Sequence, residues 1–348
     1  MKIAPLLLAA AAFRSVAIAQ GSDWGNPGDD GPLSDEYQAS KALCRSLKDR
    51  EPPAADRPTA AQRRALQGCD SEALYYGIGI PADPQKARLC AFIEAESEQT
   101  DGPFAGRSML MTIYANGRGA RRDLDVATHL ACAASWAPAE AHGRVTHLRE
   151  MKAAASPGSD FDYCDDVTSG YAGGFCAAHA ARIAGARRDA EVAALSRGWS
   201  TAERAALARL RAATSAFAEA RAEGEVDARG TGRAAFETEA SEAVEEELLE
   251  VLKSLSAGTA PKASAAAFRL ADAKLNAAYR TALRSTEPSD MPGAVTREGI
   301  RDAQRAWLRY RDAFLAFAAV KFPSVSRDSL AAWLSERRTK MLLGAELP

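Results

Sequence analysis

The side chains best suited to chemistry are six cysteines, four histidines and one dense run of glutamates. The cysteines are Cys44, Cys69, Cys90, Cys132, Cys164 and Cys176. No C-x-x-C or C-x-x-H pair occurs, so the spacing that wraps a structural zinc is missing. In an exported chain an even number of cysteines reads as up to three disulfides, with connectivity left open among 15 arrangements. His142 and His147 stand five apart, which does not put two metal ligands on one helical face. They and His129 and His179 read as structural or solvent-facing. No G-x-S-x-G elbow is present, and Gly230-Thr231-Gly232 lacks the flanking strand and lysine of a phosphate loop. No acid–base pair and no nucleophile with an orienting base can be assembled. The expectation is a protein that is not an enzyme and carries no cofactor and no metal.

The glutamate run comprises Glu239, Glu242, Glu245, Glu246, Glu247 and Glu250. At helical spacing, Glu239, Glu242, Glu246 and Glu250 share one face, opposite Val244, Leu248 and Val251. A solvated face is the ordinary reading. The functional reading is docking of a cationic protein partner. Arg301, Arg305, Arg309 and Arg311 are candidate internal partners that would consume the same charge.

These residues sit in a chain of 348, with 47% hydrophobic and 26% charged residues, which excludes wholesale disorder. Net charge is −2, so no global basic field marks a nucleic-acid binder. Lys2, the apolar run from Ile3 to Phe13 and Ala17-Ile18-Ala19 before Gln20 read as an export signal over 1–19. Its removal takes away Lys2 and Arg14 and leaves a net charge of −4. No other segment has the apolar length of a membrane span. A periplasmic or secreted protein of a bacterial envelope is expected, with no stable membrane insertion. Residues 20–34, rich in Gly, Asp, Ser and Pro, read as a disordered leader.

From there on, apolar residues recur at helical spacing and no strand alternation appears, so the fold class is all-α. A repeat stands at an offset of 40. Tyr75-Tyr76-Gly77-Ile78-Gly79 answers Ala115-Asn116-Gly117-Arg118-Gly119, Asp83 answers Asp123, and Ala87 answers Ala127. The glycine ends one helix, the aspartate caps the next, and the alanine lets the two pack closely. The pattern resembles the Sel-one-like repeat, a relative of the tetratricopeptide repeat, over about 66–136. Helices near Lys41–Lys48 and Ala139–Met151 would cap it, giving a disulfide-stapled unit over 35–156.

A second repeat stands at an offset of 90. Leu210-Arg211-Ala212-Ala213, Phe217 and Arg221 answer Ile300-Arg301-Asp302-Ala303, Trp307 and Arg311. Ile300, Ala303, Trp307, Tyr310, Phe314 and Phe317 form one apolar stripe, and Trp307 and Trp333 read as buried anchors. Trp24 and Trp136, beside loops, are the candidates for exposed contact.

The stretches A-D-A-K-L-N-A-A-Y at 271–279, I-R-D-A-Q-R-A-W-L-R-Y-R-D-A at 300–313 and L-x-x-W-L-S-E-R-R at 330–338 resemble the LprI-like family of bacterial envelope proteins, named for a lysozyme inhibitor. The resemblance implies a small helical domain over about 262–345, with a divergent copy at 157–257. It implies that Cys164 and Cys176 correspond to the family's leading cysteine pair. It also expects cysteines at the positions of Phe314 and Ser329, which are absent. It implies a non-enzymatic binding protein that inhibits lysozyme-type muramidases by steric occlusion. The alternative is a periplasmic adaptor that uses its helical repeats to hold a protein partner. Whether Arg301, Gln304, Arg305 and Arg311 brace the fold or face a ligand stays open at this level.

Overall fold

The computed structural model describes residues 24–25, 35–97, 102–134, 137–154 and 160–344. The expected export signal, most of the leader and Trp136 lie outside the described residues. Among the described residues there are thirteen α-helices, two short 3-10 turns and no strand. The all-α expectation holds.

The first core is built by α1 (Asp35–Ser46), α3 (Ser71–Tyr76), α4 (Pro84–Glu94), α5 (Gly106–Asn116), α6 (Leu124–Cys132) and α7 (Pro138–Ala153), while the short α2 (Ala60–Ala65) lies outside it with no buried residue. Helices α3–α4 and α5–α6 are two hairpins with the same local chemistry. Gly77 and Gly117 end α3 and α5 at φ of 76° and 67°, a left-handed conformation that a side chain would strain. Asp83 and Asp123 then cap α4 and α6 by accepting backbone N–H bonds from Lys86 and from Asp125 and Val126. Ala87 and Ala127 are fully buried at the hairpin contacts. Cys44–Cys132 ties α1 to α6, and Cys69–Cys90 ties the chain before α3 to α4.

Trp24 corrects an expectation. It is 6% exposed, its indole N–H donates to Ser40 Oγ at 2.9 Å, and its ring meets Tyr37 edge-on. Composition marks its surroundings as a leader, but one large aromatic with a hydrogen-bond partner is enough to anchor a short segment.

The second core is built from α8 (Gly170–Leu195), α9 (Thr201–Glu225), α10 (Arg233–Ser256), α11 (Ala265–Ser285), α12 (Arg297–Lys321) and α13 (Arg327–Leu342). Helix α8, about 39 Å long at 1.5 Å per residue, belongs to both cores. Its first turns are stapled by Cys164–Cys176 and carry His179 into the first core. That ring stacks on Phe104 at 3.9 Å and lies 2.5 Å from a Glu72 carboxylate oxygen. Its last turns place Val192 in the second core.

In the second core the long helices α9 and α12 run antiparallel against each other, with α10 beside α9 and α13 beside α12. Helix α8 covers α10, and α11 covers α13. Phe217 and Tyr310 stack at 5.6 Å and 17° across the α9–α12 contact, and Trp307 is 2% exposed. Phe314 is fully buried between Tyr310 and Trp333. The Ser329 hydroxyl donates to the backbone carbonyl of Ala263 and accepts from its N–H, tying α13 to the start of α11. Aromatic packing and a hydroxyl bridge thus fill the two positions where the resemblance expects cysteines.

Candidate partner-binding surface and the charge seam behind it

Helix α10 puts its glutamates on three sides. Glu242 and Glu246 turn toward α8. Arg188 pairs with Glu242 at 2.7 Å and reaches Glu246 at 3.4 Å, and Arg187 also bonds Glu246. Glu247 turns the other way and accepts from Arg337 of α13. Burial pushes the Glu247 carboxyl above its ordinary range, against the pull of Arg337 and Arg221. One oxygen, Oε2, has no partner there. Glu239 and Glu250 remain exposed, with Lys253 3.0 Å from Glu250. Of the four glutamates expected on one solvated face, two are therefore held by the neighbouring helix.

The expected arginine partners are corrected too. Arg301 and Arg309 are exposed on α12, Arg305 pairs with Asp302, and Arg311 lies over the Trp307 ring at 5.5 Å and bonds Asp312. None of the four bonds the glutamate helix. Their helix packs on α9, while Glu242 and Glu246 face α8, Glu247 meets Arg337 of α13, and Glu245 accepts from Ser215 of α9. Gln304 braces the fold, accepting from Arg338 Nε at 3.0 Å.

Three ion pairs cross between α8–α10 and α11–α13, and all have the same polarity. Glu203 pairs with Lys321 at 3.0 Å, Glu225 with Arg338, and Glu247 with Arg337. Each acid comes from the first set and each base from the second. Composition follows the same division. Residues 170–256 hold 11 basic and 14 acidic side chains, and residues 265–342 hold 14 basic and 8 acidic. The strongest of the three lies innermost. The Arg338 side chain is wholly buried, grips Glu225 with both Nη atoms, and covers the Phe217 ring at 5.3 Å. Arg221 joins them, donating to the Ala240 carbonyl, and burial holds its pKa below the ordinary value.

Sequence reasoning missed Glu225, Arg188 and Arg338 as organising residues. Arg338 was detectable, because it continues the 330–334 stripe of α13 and a charge on an apolar stripe needs a partner.

Open grooves occur in both parts of the molecule. One, of about 450 Å3, lies between α10 and α13, with Glu250 and Trp333 among its lining residues. The other, of about 350 Å3, lies in the first unit, with Phe92, Arg107 and His129 among its lining. The four histidines are all engaged. His129 Nδ1 meets the Leu47 carbonyl, His142 meets Ser40, and His147 meets Asp166. Burial lowers the pKa of His179. Among the described residues no helix is long and apolar enough to cross a membrane.

No curated protein and no solved structure matches the chain. Residues 253–342, which span the end of α10 and all of α11–α13, match the family described as lysozyme inhibitor LprI, so this part of the chain is similar to an inhibitor family that binds a protein.

Proposed function

We propose that the chain is a non-enzymatic exported binding protein whose second helical core, α8–α13, inhibits a lysozyme-type muramidase by covering its cleft, with the acidic α8–α10 side making the contact. The observation that carries the reading is the family match over 253–342. Three disulfides fit an oxidising compartment. Charge favours one side of the bundle over the other. Lysozymes are often strongly basic, and the net basic α11–α13 set repels such an enzyme at long range. The α8–α10 set is net acidic and presents Glu239 and Glu250 to solvent, with Glu250 on the rim of the 450 Å3 groove. Docking therefore uses the acidic side, and the family-like helices act together with α8–α10.

We read residues 157–257 as a divergent copy of 262–345. Helix α10 on α8 corresponds to α13 on α11, and α9 and α12 pair with each other. The offset of 90 equates Phe217 with Trp307, both buried in the shared core.

The test is residual muramidase activity against titrated, oxidised mature protein. Saturable inhibition near a stoichiometric ratio, weakened about tenfold in Glu239→Lys/Glu250→Lys through loss of steering and of two exposed contacts, is the expected result. No inhibition at large excess would reduce the family likeness to a fold. The adaptor reading would then lead, resting on the 350 Å3 groove of the first unit.

A further inference from the structure

Helix α11 packs one side on α13 and leaves the opposite side uncovered. Ala271, Leu275 and Ala278 form the buried side. At 100° per residue, Arg269, Arg280, Arg284 and Lys274 fall within one arc on the other side, and all four are exposed. Leu270, 58% exposed, stands inside that arc together with Ala273, Ala277 and Thr281. The single acid of the helix, Asp272, lies outside the arc and accepts from Asn276. The next acids, Glu287 and Asp290, come beyond the helix end.

Several other exposed cations of the molecule are paired locally, while Arg301 and Arg309 of α12 share with α11 the lack of an ion pair among the described residues. Arg187 pairs with Glu191, Arg211 with Asp189, Lys152 with Asp125, and Arg305 with Asp302. On α11, Arg269, Lys274 and Arg280 enter no ion pair among the described residues, and Arg284 donates only to Thr281. The result is an uncompensated basic strip about 22 Å long, from Arg269 to Arg284.

We infer that this outer face of α11 is a docking surface for a membrane bearing anionic phospholipids. The strip runs along the outward side of one helix, and the long Arg and Lys side chains flanking it can reach toward a flat array of negative headgroups together. Leu270 sits among cations, where it would be idle against a soluble polyanion but can enter the apolar margin of a bilayer. The small Ala273 and Ala277 let the helix approach the headgroups closely. This is peripheral adsorption, since the apolar side of α11 is already spent on α13. It is independent of muramidase inhibition, which is placed on the α8–α10 side.

The test is co-sedimentation of oxidised, mature full-length protein with vesicles at low salt. One set is phosphatidylcholine alone, and the other contains about one-third phosphatidylglycerol. Binding to the anionic set only is expected, declining as salt screens the headgroups. Replacing Arg269, Lys274, Arg280 and Arg284 by Gln should weaken it about tenfold or more. Replacing the three arginines by Lys should restore it, with melting unchanged in both variants. A control set that removes the same charge elsewhere, Arg297→Gln, Arg301→Gln, Arg305→Gln and Arg309→Gln, should leave most of the binding. Equal loss in the control set would overturn the proposal in favour of net charge. Failure to bind anionic vesicles would overturn it outright. So would α11-dependent binding of soluble heparin without vesicle binding, which would make the strip a polysaccharide site.

Discussion

Arg338, on the apolar stripe of α13, is wholly buried against Glu225 at the end of α9, 113 residues earlier in the chain. Leaving either charge buried without the other costs about 3–5 kcal/mol. Glu225→Ala and Arg338→Ala should therefore each lower stability by about that amount in chemical denaturation. Replacing both, as Glu225→Leu/Arg338→Met, should recover most of the loss, because two apolar side chains need no partner. Additive losses would show that the pair is not energetically coupled.

Glu203 closes a capping box at the start of α9. It accepts from the Ser200 backbone N–H at 2.6 Å and from Lys321 at 3.0 Å, while Ser200 Oγ accepts from the Glu203 N–H. The Ser200 N–H foremost, and then Lys321, hold its carboxyl down to about 2 from 4.5. A carboxyl whose folded pKa is depressed contributes stability above its unfolded value and loses it as pH falls toward the folded one. That contribution is thus present above about pH 4.5 and disappears between there and about pH 2. Glu203→Gln keeps an acceptor for Ser200 but no longer titrates. Denaturation followed across this window should show a shallower acid loss in the variant, by about one proton's slope. Parallel curves would mean the Lys321 and Ser200 contacts do not persist in solution.

How far the fold was legible depends on how local each determinant is. The hairpins of the first unit are written in single residues. Gly77 and Gly117 take left-handed turns, and Asp83 and Asp123 cap within three residues, so spacing alone locates them. The stripe from Ile300 to Phe317 likewise marks α12. The partners of charged residues were less legible, because they depend on which helices become neighbours. Glu246 and Arg188 are 58 residues apart, and Glu247 and Arg337 are 90 apart. A stripe of four glutamates says that a face is acidic, but not that α8 lies across half of it. The burial of Trp24 escaped for the same reason, since Ser40 and Tyr37 reach it only after α1 has docked.

Helices α9 and α12 touch backbone to backbone at Gly224 and Gly299. A Cβ on Gly224 would lie 2.6 Å from the Gly299 carbonyl oxygen, and one on Gly299 would lie 2.6 Å from the Gly224 Cα. Those obstacles are main chain and cannot rotate away. Gly→Ala in a helix ordinarily gains about 0.5–1 kcal/mol from backbone entropy, but forcing atoms into a filled contact costs about 1–3 kcal/mol. Overpacking should win here, so Gly224→Ala and Gly299→Ala each lower the melting temperature. The double variant should cost less than the sum, because the first Cβ already moves the helices apart. Gly173→Ala in α8, where a Cβ meets nothing within 4 Å, supplies the opposite sign and should raise it. If both crossing variants stabilised the protein as Gly173→Ala does, the close approach of α9 and α12 would be wrong, and with it the packing that brings Glu225 to Arg338.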